Sequence, residues 1–136
     1  MKTKKVIIHA DGASLGNPGA AAIGATIRDE QGRLVASISR GIGRATNNQA
    51  EYRAVIAALG KATKLGAEEV DVNLDSQLVV RQINGKYRVR NLALKPLYQQ
   101  VKQLQSRLKG FTITYIPRQQ NIEAHHLASM ALRDFC

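Results

Sequence analysis

Cysteine is all but missing from this 136-residue chain, whose one thiol is Cys136, the last residue. That count excludes a disulfide framework and a thiolate metal site, and it argues against a nucleophilic cysteine. Acid is scarce as well, with ten Asp and Glu against twenty Lys and Arg, for a net charge of +10. An isoelectric point near 10.2 favours a polyanionic partner, nucleic acid ahead of a membrane surface, although the same charge also serves solubility. No apolar run approaches the roughly 20 residues of a membrane span. Met1-Lys2-Thr3-Lys4-Lys5 has the charge of a signal n-region, but the apolar stretch behind it breaks at His9 and Asp11. That is too short for an h-region, so the chain is expected to be cytoplasmic. A Walker-type loop and a dinucleotide-binding glycine motif are both absent, which disfavours a nucleotide or small-molecule enzyme. No repeat or low-complexity segment interrupts what reads as one domain spanning residues 1–136.

What is present is organised around Ile8-His9-Ala10-Asp11-Gly12-Ala13-Ser14-Leu15-Gly16-Asn17-Pro18-Gly19. An apolar strand, residues 4–10, is expected to end on the Asp11 carboxylate, and the glycines after it let a bulky polymer approach the backbone. Aspartate is also common in solvated turns, so Asp11 carries weight only with partners. His9 shares its pleat face by the two-residue period and reads more readily as a packed histidine than a catalytic one. Residues 20–29 and 33–41 are two further strands joined through Glu30-Gln31-Gly32, which makes an antiparallel meander.

Thr46 with Gln49 forms a capping box, and Tyr52, Val55, Ile56, Leu59 and Ala62 follow at helical spacing to about Gly66. Glu51 falls in the second turn at the border of that stripe, where it reads either as a site residue or as decoration of the helix dipole. Residues 70–75 alternate as a half-buried strand closing on Asp75, and Ser76 caps a short helix ending at Asn84-Gly85. That arrangement puts Asp75 at the carboxyl edge of a sheet, where open α/β sheets bind ligands, or makes it a simple turn residue. Lys86-Tyr87-Arg88-Val89-Arg90-Asn91 suits phosphate contact, or is a solvated connector. A helix through Leu94, Leu97, Val101, Leu104 and Leu108 follows, with Pro96 in its first turn. A strand over residues 111–116 comes next, then a last helix, capped by Asn121 and packed through Ala124, Leu127, Ala128 and Ala131, with His125 and His126 beside that stripe.

Four fragments in this order resemble ribonuclease H of type 1, in the short form without a basic protrusion. They are Asp11-Gly12-Ala13-Ser14 with Gly16-Asn17-Pro18-Gly19, Thr46-Asn47-Asn48-Gln49-Ala50-Glu51, Asp75-Ser76-Gln77, and Pro117-Arg118-Gln119-Gln120-Asn121 before Glu123-Ala124. The resemblance implies an α/β fold with a five-stranded mixed sheet, an antiparallel meander and then two strands parallel to the first, flanked by helices. It implies an endonuclease that hydrolyses the RNA strand of RNA/DNA hybrids with two metal ions, leaving 5′-phosphate and 3′-hydroxyl ends; no obligate protein partner is evident in the sequence, and a monomer is expected. Asp11 would bridge both metals, and Glu51 and Asp75 would share one. Two hard cations about 3.5 to 4 Å apart suit such a hydrolysis, since together they activate water and stabilise the leaving oxygen.

The family's fourth metal-site residue is an aspartate where this chain has His125. An imidazole brings one less negative charge and suits Mn²⁺ better than Mg²⁺, so a relative preference for Mn²⁺ is expected. The alternative is a weakened or inactive hybrid-binding module. Glu123, two residues away on a helix, is expected to face elsewhere. Also by resemblance, Ser14, Asn17, Asn47 and Gln77 would contact RNA sugars, while Arg44, Thr46 and Asn91 would hold a DNA phosphate. Arg88, Arg90 and Lys95 are the nearest substitutes for the family's basic helix, which implies modest, steeply salt-dependent affinity.

Overall fold

The computed structural model describes residues 4–133, so Met1–Thr3 and Cys136 lie outside the described residues. Five strands form one sheet in the order β3-β2-β1-β4-β5, from β1 (Lys5–Ser14), β2 (Gly19–Asp29), β3 (Leu34–Ala45), β4 (Glu69–Leu74) and β5 (Gly110–Tyr115). The first three strands pair antiparallel, and β4 and β5 run parallel to β1, as expected from the sequence. Helices α1 (Asn47–Lys64), α2 (Gln77–Ile83), α3 (Lys95–Ser106) and α4 (Ile122–Arg133) surround it.

The strand carrying Asp11 does not stop there. β1 continues through Gly12↔Ile23, Ala13↔Ala22 and Ser14↔Ala21 against β2, because these small residues keep the hairpin ladder going. On its other side the parallel ladder with β4 ends at Ala10↔Leu74. Asp11 is therefore inside the hairpin yet just beyond the rim of the parallel half, beside Asp75. β3 likewise runs four residues past the expected Gly41, to Ala45, carried through a register shift that leaves Ile42 unpaired. Gly32 takes a φ of +81° in the turn before β3, the left-handed conformation expected of that connection.

Residues 21–27 of β2 are all buried, because α1 covers one face of the sheet and α4 the other. The core joins Val6, Ile8, Ile23 and Ile27 to Tyr52, Val55 and Leu59 of α1. Helix α4 packs through Ala124, Ala128, Ala131 and Leu132, with Leu127 only half-buried. It comes so close that a Cβ on Gly24 would lie 2.3 Å from the Ala124 carbonyl oxygen and 2.4 Å from the Ala128 nitrogen. Backbone on backbone cannot yield as a side chain can. Gly24→Ala is expected to destabilise the fold by about 3 kcal/mol and lower the melting temperature by about 10 °C, measured by thermal unfolding.

Candidate active site

Asp11, Glu51 and Asp75 converge where the parallel ladder ends, each offering a carboxylate oxygen within 4.8 Å of the others. Three local devices bring them there. β1 delivers Asp11, whose cross-strand partner Gly24 admits α4 on the same face. The capping box at Thr46, with Thr46 Oγ1 accepting from the Gln49 N–H at 3.1 Å and Gln49 Oε1 from the Thr46 N–H at 2.8 Å, fixes the start of α1. Glu51 then sits one turn in and is held by the Gly12 N–H, which donates to Oε1 at 2.6 Å. That bond needs α1 against the strand, and a Cβ on Gly12 would lie 2.3 Å from the Ala50 carbonyl carbon. Finally, β4 ends at Leu74, so Asp75 is the first residue off the sheet, and Ser76 Oγ accepts from the Val79 N–H to start α2.

Burial makes this cluster electrostatically demanding. Asp11 is 1% exposed and Glu51 6%. One oxygen of each acid, Asp11 Oδ1, Glu51 Oε2 and Asp75 Oδ2, has no hydrogen-bond partner. Burial first, and then the Asp11 charge, pushes the Glu51 carboxyl well above the usual carboxylate range. The same two causes raise Asp75, against the opposing pull of Arg118 and Asn121. Buried carboxylates this close, with unpartnered oxygens, are unfavourable as a bare trio and fit a hard divalent cation that supplies positive charge and takes oxygen ligands.

A pH effect follows from the sign of those shifts. Carboxyls raised in the folded state stabilise it below their ordinary range and lose that contribution as pH rises through the elevated folded values. In EDTA the protein is expected to lose melting temperature from about pH 4 towards neutrality. Mg²⁺ or Mn²⁺ should restore it, and Glu51→Gln should flatten the slope, as read by thermal unfolding across pH.

His125 arrives from α4 with Nδ1 2.9 Å from Asp11 Oδ2, in contact with the buried aspartate but outside the group of three acids whose ligand atoms all lie within 4.8 Å of one another. Glu123 turns away, as expected, and takes a paired contact from Arg28 Nη2 at 3.0 and 2.9 Å. His9 is half-buried in β1, and burial lowers its pKa. Asn121 departs from its expected role as a side-chain cap. Its Nδ2 donates to the Ala10 carbonyl at 2.8 Å, its Oδ1 has no hydrogen-bond partner, and only its backbone carbonyl joins α4. It thus ties the start of α4 to β1 next to Asp11. Arg118, a residue with no assigned contact in the sequence reading, brings Nε to 3.6 Å from Asp75 Oδ2.

Of the expected nucleic-acid contacts, Ser14, Asn17 and Asn47 form one polar ledge. Ser14 Oγ lies 2.7 Å from Asn47 Oδ1 and also meets the Gly16 carbonyl, its one hydrogen serving either acceptor, and the Asn47 N–H donates to Asn17 Oδ1 at 3.0 Å. Thr46 is engaged as the cap beside them. Arg44 is exposed opposite Ala20 near the end of β3, and Gln77 is exposed at the start of α2, two residues from Asp75. Asn91 instead organises the entry to α3, where its Oδ1 accepts from the Ala93 N–H at 2.8 Å and the Leu94 N–H at 3.2 Å.

The family described as reverse transcriptase-like matches residues 9–131. The bifunctional protein Rv2228c of Mycobacterium tuberculosis is 44% identical over 94% of this chain, which spans 35% of that protein's length. Its N-terminal RNase H domain, solved as a fusion with maltose binding protein, superposes with a TM-score of 0.91 over 94% of this chain and 98% of that one. Ribonuclease HI of Halobacterium salinarum is 42% identical over 93% of this chain and 65% of its own length. The crystal structure of the same organism's RNase H1 gives a TM-score of 0.93 at 41% identity, covering 96% and 98% of the two chains. LC11-RNase H1 in complex with an RNA/DNA hybrid gives 0.90 at 37% identity, covering 95% and 97%. Sheet order, carboxylate cluster and kinship over nearly the whole sequence agree, and the chain belongs to the ribonuclease H family in its type 1 form.

Proposed function

We propose that this chain is an endonuclease that hydrolyses the RNA strand of RNA/DNA hybrids using divalent cations, Mg²⁺ or Mn²⁺, held by Asp11, Glu51, Asp75 and His125. One observation carries the reading: three acids from separate elements meet within 4.8 Å, each with an oxygen that no hydrogen bond satisfies, Asp75 Oδ2 having only the longer ion pair with Arg118. The hybrid-bound relative supports the substrate class.

Two such cations, when bound, would supply Lewis acidity at the scissile phosphate, an activated water and positive charge at the leaving 3′-oxygen, and the products would carry 5′-phosphate and 3′-hydroxyl ends. The residues around them have separate tasks. Asp11 would be the shared ligand, being the acid whose charge bears on both of the others. The Gly12 N–H fixes one oxygen of Glu51 and leaves the other free for the cation. Arg118 offsets charge at Asp75 from the solvent side. His125 orients Asp11 through Nδ1 and would complete the ligand set from just outside the three acids.

Selection of RNA over DNA requires groups that touch the 2′-hydroxyl, because A-form geometry hides base edges. Ser14, Asn17, Asn47 and Gln77 are assigned that contact, and Arg44, Thr46 and Asn91 a DNA phosphate. The ledge supports this for the first three, since its hydroxyl and amides are preset by mutual hydrogen bonds. Asn91 has the weakest support, as its side-chain oxygen is already engaged in a turn.

The test is cleavage of a hybrid labelled in each strand, with Mg²⁺, Mn²⁺ or EDTA. Metal-dependent cutting of the RNA strand alone is the expected result. Tight hybrid binding without cutting in either metal would overturn the reading in favour of a binding module, the alternative that His125 in place of an aspartate raises.

A further inference from the structure

The sheet edge away from the acids carries a second feature. β3 is an edge strand, so one side of its backbone has no strand partner among the described residues. Its pairing with β2 shifts register on either side of an unbroken run from Ala36↔Ile27 to Gly41↔Ala22. Bulges commonly twist an edge away from further pairing, and here they fence off a regular window at residues 36–41.

Helix α1 packs mainly over β1 and β2, and a groove opens between it and this window. Two cavities of about 480 and 510 Å³ adjoin along it and share Arg40 and Ala57. Ile38, Ile42 and Ile56 contribute apolar surface, while Arg40, Arg53, Lys61 and Lys64 are its cations. No acidic residue lines either cavity, and none of these four cations has an acidic partner among the described residues.

We propose that this groove docks an extended acidic peptide segment of a partner protein as an added strand along residues 36–41. Three properties select that occupant together. A free edge offers outward N–H and C=O groups at alternate residues, which a strand can use and a phosphate backbone cannot pair in register. Arginine and lysine without acidic partners among the described residues line the rim and select acidic side chains, although Arg53 Nη1 already donates to the Ile42 carbonyl at 3.2 Å. The isoleucines favour apolar residues at the alternate positions, which face inward. A second copy of this chain would set the same four cations against each other.

The probe is a synthetic peptide of about eight residues, alternating Asp or Glu with Ile or Val, long enough to span the window. It is added to the ¹⁵N-labelled full chain, with a version carrying Lys for each acid as control. Amide shifts confined to residues 36–42 and to Arg53 and Lys61 are expected, with binding absent for the lysine version. Arg40→Glu with Lys61→Glu should weaken binding at least ~10-fold while hybrid cleavage is unchanged. Lys64→Glu alone, on the exposed last turn of α1, should weaken it about threefold and covers the case in which the double variant fails to fold. Shifts confined to other surfaces, unchanged affinity in a folded variant, or displacement of the peptide from this window by an RNA/DNA hybrid would each overturn the proposal. The last would assign the groove to nucleic acid.

Discussion

Asp11→Asn is expected to lower hybrid cleavage by at least ~10³-fold, a loss of about 4 kcal/mol of transition-state stabilisation, while hybrid affinity stays within about twofold. The asparagine keeps the shape and removes the charge that two cations would share. Its second effect has the opposite sign. The Asp11 charge is a cause of the elevated pKa of both Glu51 and Asp75, so removing it relieves the cluster. In EDTA at neutral pH the variant should melt higher than the parent by about 5 °C, the trade between function and stability expected of a strained site. A residue with a purely structural role would lose stability along with activity. Cleavage rates and melting curves on one preparation separate the two.

His125→Asp is the second large expectation. The substitution sets a fourth carboxylate where Nδ1 now lies 2.9 Å from Asp11 Oδ2. Mg²⁺ favours oxygen ligands and gains a charge, so the Mg²⁺ concentration for half-maximal cleavage should fall about tenfold, with a smaller change for Mn²⁺. The expected preference for Mn²⁺ would then shrink. In EDTA the added charge should lower the melting temperature, since it enlarges the repulsion that Asp11→Asn reduces. Unchanged Mg²⁺ dependence in a folded variant would mean that His125 lies outside the ion's ligand set.

Local signals made most of this molecule legible. The Thr46–Gln49 capping box fixed the start of α1, and with it the depth at which Glu51 enters the sheet's rim. Alternation in residues 70–75 followed by Ser76 located Asp75 at a strand-to-helix junction. What escaped the sequence was decided by close approach between distant segments. Gly12 and Gly24 look like interruptions of apolar strands, yet each is where a helix backbone touches the sheet. Asn121 has the residue type and spacing of a cap, but the nearest carbonyl in need of a donor belongs to Ala10, 111 residues earlier. The run of β1 past Asp11 was hidden similarly, since small residues give no apolar alternation and only the facing β2 extends the ladder. The groove beside β3 depends on how far α1 is set from the edge, which no local pattern encodes.

The most direct measurement is a crystal structure of the protein soaked in Mn²⁺, with anomalous scattering collected to locate the ions. A peak is expected at about 2.0 to 2.3 Å from oxygens of Asp11 and at least one of Glu51 and Asp75, with a second ion on Asp11 when a hybrid is bound. Manganese found only elsewhere on the surface, with the three acids still bare and Asp11 resting on His125, would contradict it.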